Sequence, residues 1–281
     1  MTGRAGFRRL ATAALLGFAL PGTTEAATRR EPADSPAVRL TLEQVKARLS
    51  GAAQGTAPDL ANTDLSGLDL TGIDFKRASL TGARLVNSKL IRANLFSCDL
   101  TDAVLTGADL SHANLDGTVL RRAGFQRANL EGASLFATII EAADLSGANL
   151  SGSRIIGYLR GAKLAGAKLV KANAGADPGN QSMGVMRATF VSADLSGADL
   201  SGANLFKADF SHANLANARL PNADLRNAEL VQSDLTRADL TGAKLAKADL
   251  YGADFTGAIG MDKVQGLDQA RNRDKAIFDA K

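Results

Sequence analysis

Tryptophan is absent, cysteine occurs once, and aromatic residues make up only 5% of the 281 positions. A wide core needs large rings to fill it. Here 45% of the residues are hydrophobic, mostly Ala and Leu, so the core must be narrow and regular. The single cysteine, Cys98, excludes an internal disulfide framework. Long apolar runs are also missing, and no stretch approaches the roughly 20 residues of a membrane span. Neither sign of charge dominates. The formal net charge is +4, and residues 60 to 259 hold 20 basic and 20 acidic side chains. Bulk charge therefore supports neither nucleic-acid binding nor mimicry of a polyanion. There is no phosphate-binding glycine loop, nucleophile elbow, zinc-ligand spacing or Gly-Gly-x-Gly-x-Asp calcium run.

The first 26 residues read as a secretory signal. Arg4, Arg8 and Arg9 form a basic start, and the mostly apolar run Leu10–Leu20 is too short to cross a bilayer. Pro21 and Gly22 break it, and small residues around Thr24-Glu25-Ala26 set a cleavage point near Ala26. Leu10, Ala11 and Thr12 match a twin-arginine signal poorly, so the general secretory route is expected. Its removal leaves 30 basic and 28 acidic residues, and places the mature chain in the periplasm or outside the cell. Residues 27–40 read as a flexible leader. Segment 41–52 reads as a capping helix: Thr41 and Gln44 form a capping box, Leu42, Val45 and Leu49 share a face, and Gly51 stops it.

From residue 60 onward a large apolar residue recurs every five positions. All twenty positions divisible by five from 60 to 155 are Leu, Phe or Ile. The position two before each is Ala in eleven of them and mostly another small residue in the rest, such as Ser88, Cys98 or Thr118. A period of five matches neither a helix nor a strand, so it marks a repeat architecture. One large and one small side chain point inward in each unit, and the other three positions face water.

Copies such as Ala108-Asp109-Leu110-Ser111-His112 and Ala143-Asp144-Leu145-Ser146-Gly147 resemble the pentapeptide-repeat family, whose motif is Ala-(Asp/Asn)-Leu-X-X. The resemblance implies an all-β solenoid: a right-handed quadrilateral parallel β-helix, four pentapeptides to the coil, over residues 58–258. About nine coils at ~4.8 Å each give a rod on the order of 45 Å long. A short N-terminal helix and a C-terminal cap at 259–281 would close its ends, since an open coil exposes unpaired backbone.

The ladder breaks once, over 156–187. After Ile155 the central residues Leu159, Leu164 and Leu169 come one position early. Residues 174–187 lack the ladder, and it resumes at Phe190. The 35 residues from Ile155 to Phe190 count as seven units, so an intact coil phase would put His112 and His212, 100 residues apart, in one surface column. At ~24 Å apart they would be solvated corner residues, too distant to share a metal.

No catalytic, cofactor-binding or metal-binding residues are expected, and no cofactor. Asp64, Asp109, Asp144, Asp194 and Asp239 each precede a central Leu, where the motif uses a short polar side chain at the corner. Three surface features remain. Phe96, Phe136 and Ile156 each follow a central residue, so they should point outward on one side and form a partner surface. Arg154, Arg160, Lys163, Lys168 and Lys171 form an anion-facing patch. The interruption, with Asp177, Met183 and Met186, is a candidate recognition loop. The expected function is a non-enzymatic exported scaffold or protein-protein interaction module with an unknown protein partner, no nucleic-acid partner, no transmembrane segment and a possible dimer through an end cap. The alternative is a DNA-mimicking, topoisomerase-interacting pentapeptide protein. Both the neutral body and the export signal argue against it.

Overall fold

A computed structural model describes residues 37–53, 55–176 and 186–279. The expected signal, most of the leader, and Asp177 and Met183 of the candidate loop lie outside the described residues. The longer elements are β1 (Val38–Arg39), α1 (Leu42–Gly51), β2 (Thr63–Asp64), β3 (Ser134–Ile139) and β4 (Arg154–Tyr158). The rest of the body is a series of parallel bridges between residues 20 apart, such as Asp109↔Asn129 and Asn114↔Ser134. Twenty residues hold four five-residue units, so each coil has four sides. The first side carries Leu100, Leu120 and Ile140 inward; the second Leu105, Phe125 and Leu145; the third Leu110, Leu130 and Leu150; the fourth Leu115, Leu135 and Ile155. Each corner takes the number of the side it follows.

One unit shows why the motif has its form. Leu110 and Ala108 are fully buried. The Leu110 N–H donates to the Asn129 carbonyl of the next coil at 2.6 Å, and the Asn129 N–H donates to the Ala108 carbonyl at 2.9 Å. The chain then turns: the Ala113 N–H donates to the Leu110 carbonyl at 3.0 Å across His112, whose φ is 57°. This is a β-turn with a left-handed third residue. Asp109 Oδ1 accepts from the Ser111 N–H at 3.0 Å, and Asp144, Asp194 and Asp239 cap their own corners in the same way. The recurring acids therefore satisfy turn amides and belong to the fold. Each buried Leu contributes about 1.5–3 kcal/mol through burial, and the small slot beside it lets the corner close. Ser88 and Thr118 are tolerated in that slot because their hydroxyls donate to the Leu85 and Leu115 carbonyls, at 2.8 and 2.6 Å.

Both ends are covered. The Thr41 hydroxyl accepts from the Gln44 N–H, and the Gln44 side chain accepts from the Thr41 N–H at 2.8 Å. The helix so capped buries Val45 and Leu49 against the apolar core. The pentapeptide pattern ends at Ala258, but the coil does not. One more coil follows in six-residue steps, with bridges Asp239↔Ile259, Lys244↔Gln265, Asp249↔Arg271 and Asp254↔Ile277. Three 3-10 turns, Met261–Lys263, Leu267–Gln269 and Arg273–Lys275, absorb the extra residues. Gly260, Gly266 and Asn272 follow the bridging residues where a Leu would otherwise stand, all left-handed.

The interruption has two parts. At β3 and β4, Phe136 pairs with Ile156 and Thr138 with Gly157, so Ala137 has no counterpart. The deleted residue is the left-handed corner residue, and the chain runs on as a strand instead of turning. Bridge spacing falls to 19, as in Asp144↔Lys163, and then rises to 31, as in Tyr158↔Thr189 and Lys168↔Asp199. Thirty-one is one coil plus eleven residues, so the chain between Asn173 and Thr189 holds eleven residues more than the regular repeat. Ala174 takes the inward place on the fourth side and is fully buried. Ile155 to Phe190 therefore spans five sides, where the sequence count gave seven. The second block is displaced by half a coil from that count.

Candidate functional site

The half-coil displacement rearranges the surface. His112 lies on the third corner and His212 on the first, diagonally across the coil, so the expectation of a shared column is corrected. The expectation for Ile156 is corrected too. It is 1% exposed, because with one corner residue missing the chain cuts across the corner rather than looping out around it. Phe96 is exposed at 40%, and Phe136 is half-buried. The five cations of the basic run do not form one face. Arg154 lies on the fourth side, Arg160 on the first corner, Lys163 on the second side, Lys168 on the third and Lys171 on the third corner. Spacings of three to six residues walk around a four-sided coil. Lys163, moreover, stacks between Asp144 and Asp194, and Lys168 between Asn149 and Asp199.

What gathers instead is the fourth corner. Phe96, Phe136 and Ile156 stand there in succession. The Ala176 N–H donates to the Phe206 carbonyl at 2.8 Å, which carries the same column on to Phe206. These are the three phenylalanines of the described coil body that are not in the axial stack. Each lies under a cation. The Arg77 guanidinium is 5.6 Å from the Phe96 ring centroid, and Arg154 is 4.1 Å from that of Phe136. Lys207 and Arg226 are 5.3 and 5.8 Å from that of Phe206. Such pairs hold a ring and a charge together at a wet surface. Asp116 sits between Phe96 and Phe136. Its carboxylate is occupied, accepting from the Ser134 hydroxyl at 2.6 Å and the Phe136 N–H at 2.9 Å.

The adjoining first side extends the patch. Val119, Ile139 and Tyr158 follow one another in its outward position, where the motif normally puts Asp or Asn. Tyr158 is 54% exposed. Below them the same column turns acidic at Asp209 and Glu229, and Arg187 closes on both. Its guanidinium donates to Glu229 at 2.8 and 3.0 Å and to Asp209 at 3.3 Å. The hydrogen bonds to Glu229, and the charges of Glu229 and Asp209, raise its pKa against the cost of burial. Arg187 thereby fixes the returning end of the inserted stretch, with half-buried Met186 before it. The deletion, the insertion, the aromatic column and the apolar stripe thus meet at one corner. Sequence reading missed Phe206 because its 70-residue separation from Phe136 is three and a half coils until the half-coil displacement is applied. Tyr158, Ile139 and Val119 had a signal, an apolar residue in the Asp/Asn position.

Among the described residues, no group of three His, Cys, Asp or Glu side chains is placed to hold a metal ion. Two shallow, open depressions lie at the ends of the coil stack, one beside Arg48 and Asp59 and one beside Asn272 and Phe278. The family described as pentapeptide repeats matches in eight copies across residues 59–95, 98–135, 186–222 and 218–257, more than half of the chain. Among solved structures, HetL, a pentapeptide repeat protein involved in heterocyst differentiation regulation in the cyanobacterium Nostoc, is 32% identical. The match covers 84% of this chain and 98% of that one, with a TM-score of 0.41. QnrB1, a plasmid-mediated fluoroquinolone resistance protein, is 22% identical over 77% of this chain and 93% of that one, with a TM-score of 0.36. A pentapeptide repeat protein from the Arabidopsis thaliana thylakoid lumen is 36% identical over 37% of this chain and 66% of that one, with a TM-score of 0.26. No curated protein matches the chain.

Proposed function

Because the chain belongs to the pentapeptide-repeat family, we propose that it is a non-enzymatic, exported interaction scaffold whose working surface is the fourth corner. The observation that carries this reading is the alignment of Phe96, Phe136 and Phe206 on one corner, each with a cation over its ring. Single exposed apolar residues need no explanation, but exposed Phe96 and half-buried Phe136 and Phe206 on one edge, flanked by Val119, Ile139 and exposed Tyr158, form an apolar surface of the kind that marks a contact site. In this reading the rod is a right-handed quadrilateral β-helix serving as a rigid ruler. Its regular positions do structural work, and recognition is confined to the irregular corner. Export follows from the leader at residues 1–26.

The test compares capture of proteins from a periplasmic extract by the wild-type chain and by a Phe96→Ser, Phe136→Ser, Phe206→Ser variant. A Tyr251→Ser variant on the first corner serves as control. The corner variant should keep its melting curve and lose the captured protein, while the control keeps it. Equal capture by all three rejects the corner as the working surface. Export is tested separately by fractionation and N-terminal sequencing, and an intact Met1 in the cytoplasm rejects that part.

A further inference from the structure

The corner's charge indicates what kind of partner it takes. Resting on the proposal that the fourth corner is the working surface, we infer that it receives an extended, acidic and amphipathic peptide segment of a protein partner. The fourth corner carries five cations, Lys76, Arg77, Lys207, Arg226 and Lys247, against the one acid Asp116. The first corner, by contrast, sets Arg121, Arg122 and Arg160 against Asp102 and Glu141, and two of these are already paired, Arg121–Glu141 and Arg122–Asp102. The excess is therefore confined to the corner itself: on the adjoining first side Asp209 and Glu229 are engaged by Arg187, and the body as a whole is neutral.

The ring-cation geometry selects a ligand that brings a carboxylate and an apolar group together. A guanidinium stacked on a ring spends its face there, and its edge N–H donors remain directed outward for a carboxylate. Arg77 over Phe96 offers this combination at one end of the column, and the Lys207 ammonium beside the Phe206 ring supplies a point charge next to an apolar surface at the other. Arg226 contributes less, because its guanidinium is already bidentate on Asp224. Between them, Val119, Ile139 and Tyr158 supply an apolar floor. Phe96 and Phe206 are five coil steps apart, ~24 Å at about 4.8 Å per coil, which an extended peptide of about seven residues spans. Its apolar side chains lie on the floor, and acids near its two ends meet Arg77 and Lys207, the corner cations that bracket the span. Nucleic acid suits the site less well. The floor offers aliphatic groups to stacked bases, and evenly spaced phosphates would have to pass Asp116 at mid-column, where a peptide can place an uncharged residue.

The experiment uses fluorescence anisotropy with the full chain and two labelled twelve-residue probes, one with two Glu at each end of an alternating Leu and Ser core, the other the same with Lys in place of Glu. The acidic probe should bind and the basic probe should not. The Phe96→Ser, Phe136→Ser, Phe206→Ser variant should weaken binding of the acidic probe at least tenfold, with circular dichroism unchanged. An Arg77→Glu, Lys207→Glu variant should invert the preference between the probes. Equal binding of both probes, no binding of the acidic one, or binding indifferent to these substitutions overturns the inference. So does a corner-dependent affinity found only for phosphatidylglycerol vesicles or oligo-dT. If the probes fail while the phenylalanine variant still loses its captured protein, the peptide class falls and the scaffold reading stands.

Discussion

Phe136 and Phe206 stand in one corner column although 70 residues separate them. A coil of twenty would have set them on opposite corners. The four-residue side at 155–158 and the eleven extra residues between Asn173 and Thr189 together add ten residues, half a coil, and bring them into line. The interruption is thus a phase-setting device as well as a break.

The deletion depends on Gly157. A Cβ there would lie 2.5 Å from the Thr138 carbonyl oxygen and 3.1 Å from the Thr138 nitrogen, both backbone atoms that cannot move aside. Gly157→Ala is expected to cost on the order of 1–3 kcal/mol through overpacking. Gly161→Ala, with nothing within 4 Å but a φ of +63°, should cost only about 1 kcal/mol. Thermal melts of the two variants make the comparison. Equal melting temperatures would show that β3 and β4 are not packed this closely.

Leu110 tests the inward assignment. It is fully buried in the third-side stack. Leu110→Ala should lose about 2–5 kcal/mol, and Leu110→Lys more, because it places a charge in the axis. A wild-type denaturation midpoint for the lysine variant would contradict the assignment.

Cys98 occupies a small slot on the first side and is 1% exposed. Burial pushes its thiol up to about 12. At pH 8 it should resist iodoacetamide in the folded chain and react readily in guanidinium, because the thiolate is the nucleophile. Rapid alkylation under native conditions would mean that the coil opens at this position.

Acid should loosen the corners. The Thr241 hydroxyl at 2.6 Å and its N–H at 3.0 Å hold the Asp239 carboxyl below its ordinary 3.8, as Arg226 does for Asp224. A folded pKa below the unfolded one gives stability that is present above pH ~4 and lost as pH falls through the folded value. Stability should therefore be level near neutrality and decline below pH ~4. Thr241→Val should flatten that decline. A variant with the wild-type acid profile would show that this hydroxyl does not stabilise the carboxylate.

The inward positions were legible because packing forces them to repeat. Leu110 and Ala108 are what any unit must present to the axis, and the Asp residues follow from the corner amide they cap. The phase was not legible, because 35 residues can be divided into sides and excess in more than one way, and only the backbone pairing of Tyr158 with Thr189 decides between them. That ambiguity hid Phe206 and misplaced His212, whereas Ile156 turned inward because the corner residue after it is missing. The basic run misled for a related reason. Nearness in sequence is nearness in space along a strand, but around a four-sided coil it scatters residues over different faces. The last coil escaped notice because it replaces the inward Leu, the signal being counted, with Gly260, Gly266 and Asn272.

That last coil also fixes the number of coils. On its four sides a single bridging residue, Ile259, Gln265, Arg271 or Ile277, stacks on the coil before it. On the first three, a left-handed residue then turns the chain at once. A further coil would find no inward Leu to rest on along those sides. The six-residue steps therefore act as a terminator, halting a ladder whose every earlier rung could accept another.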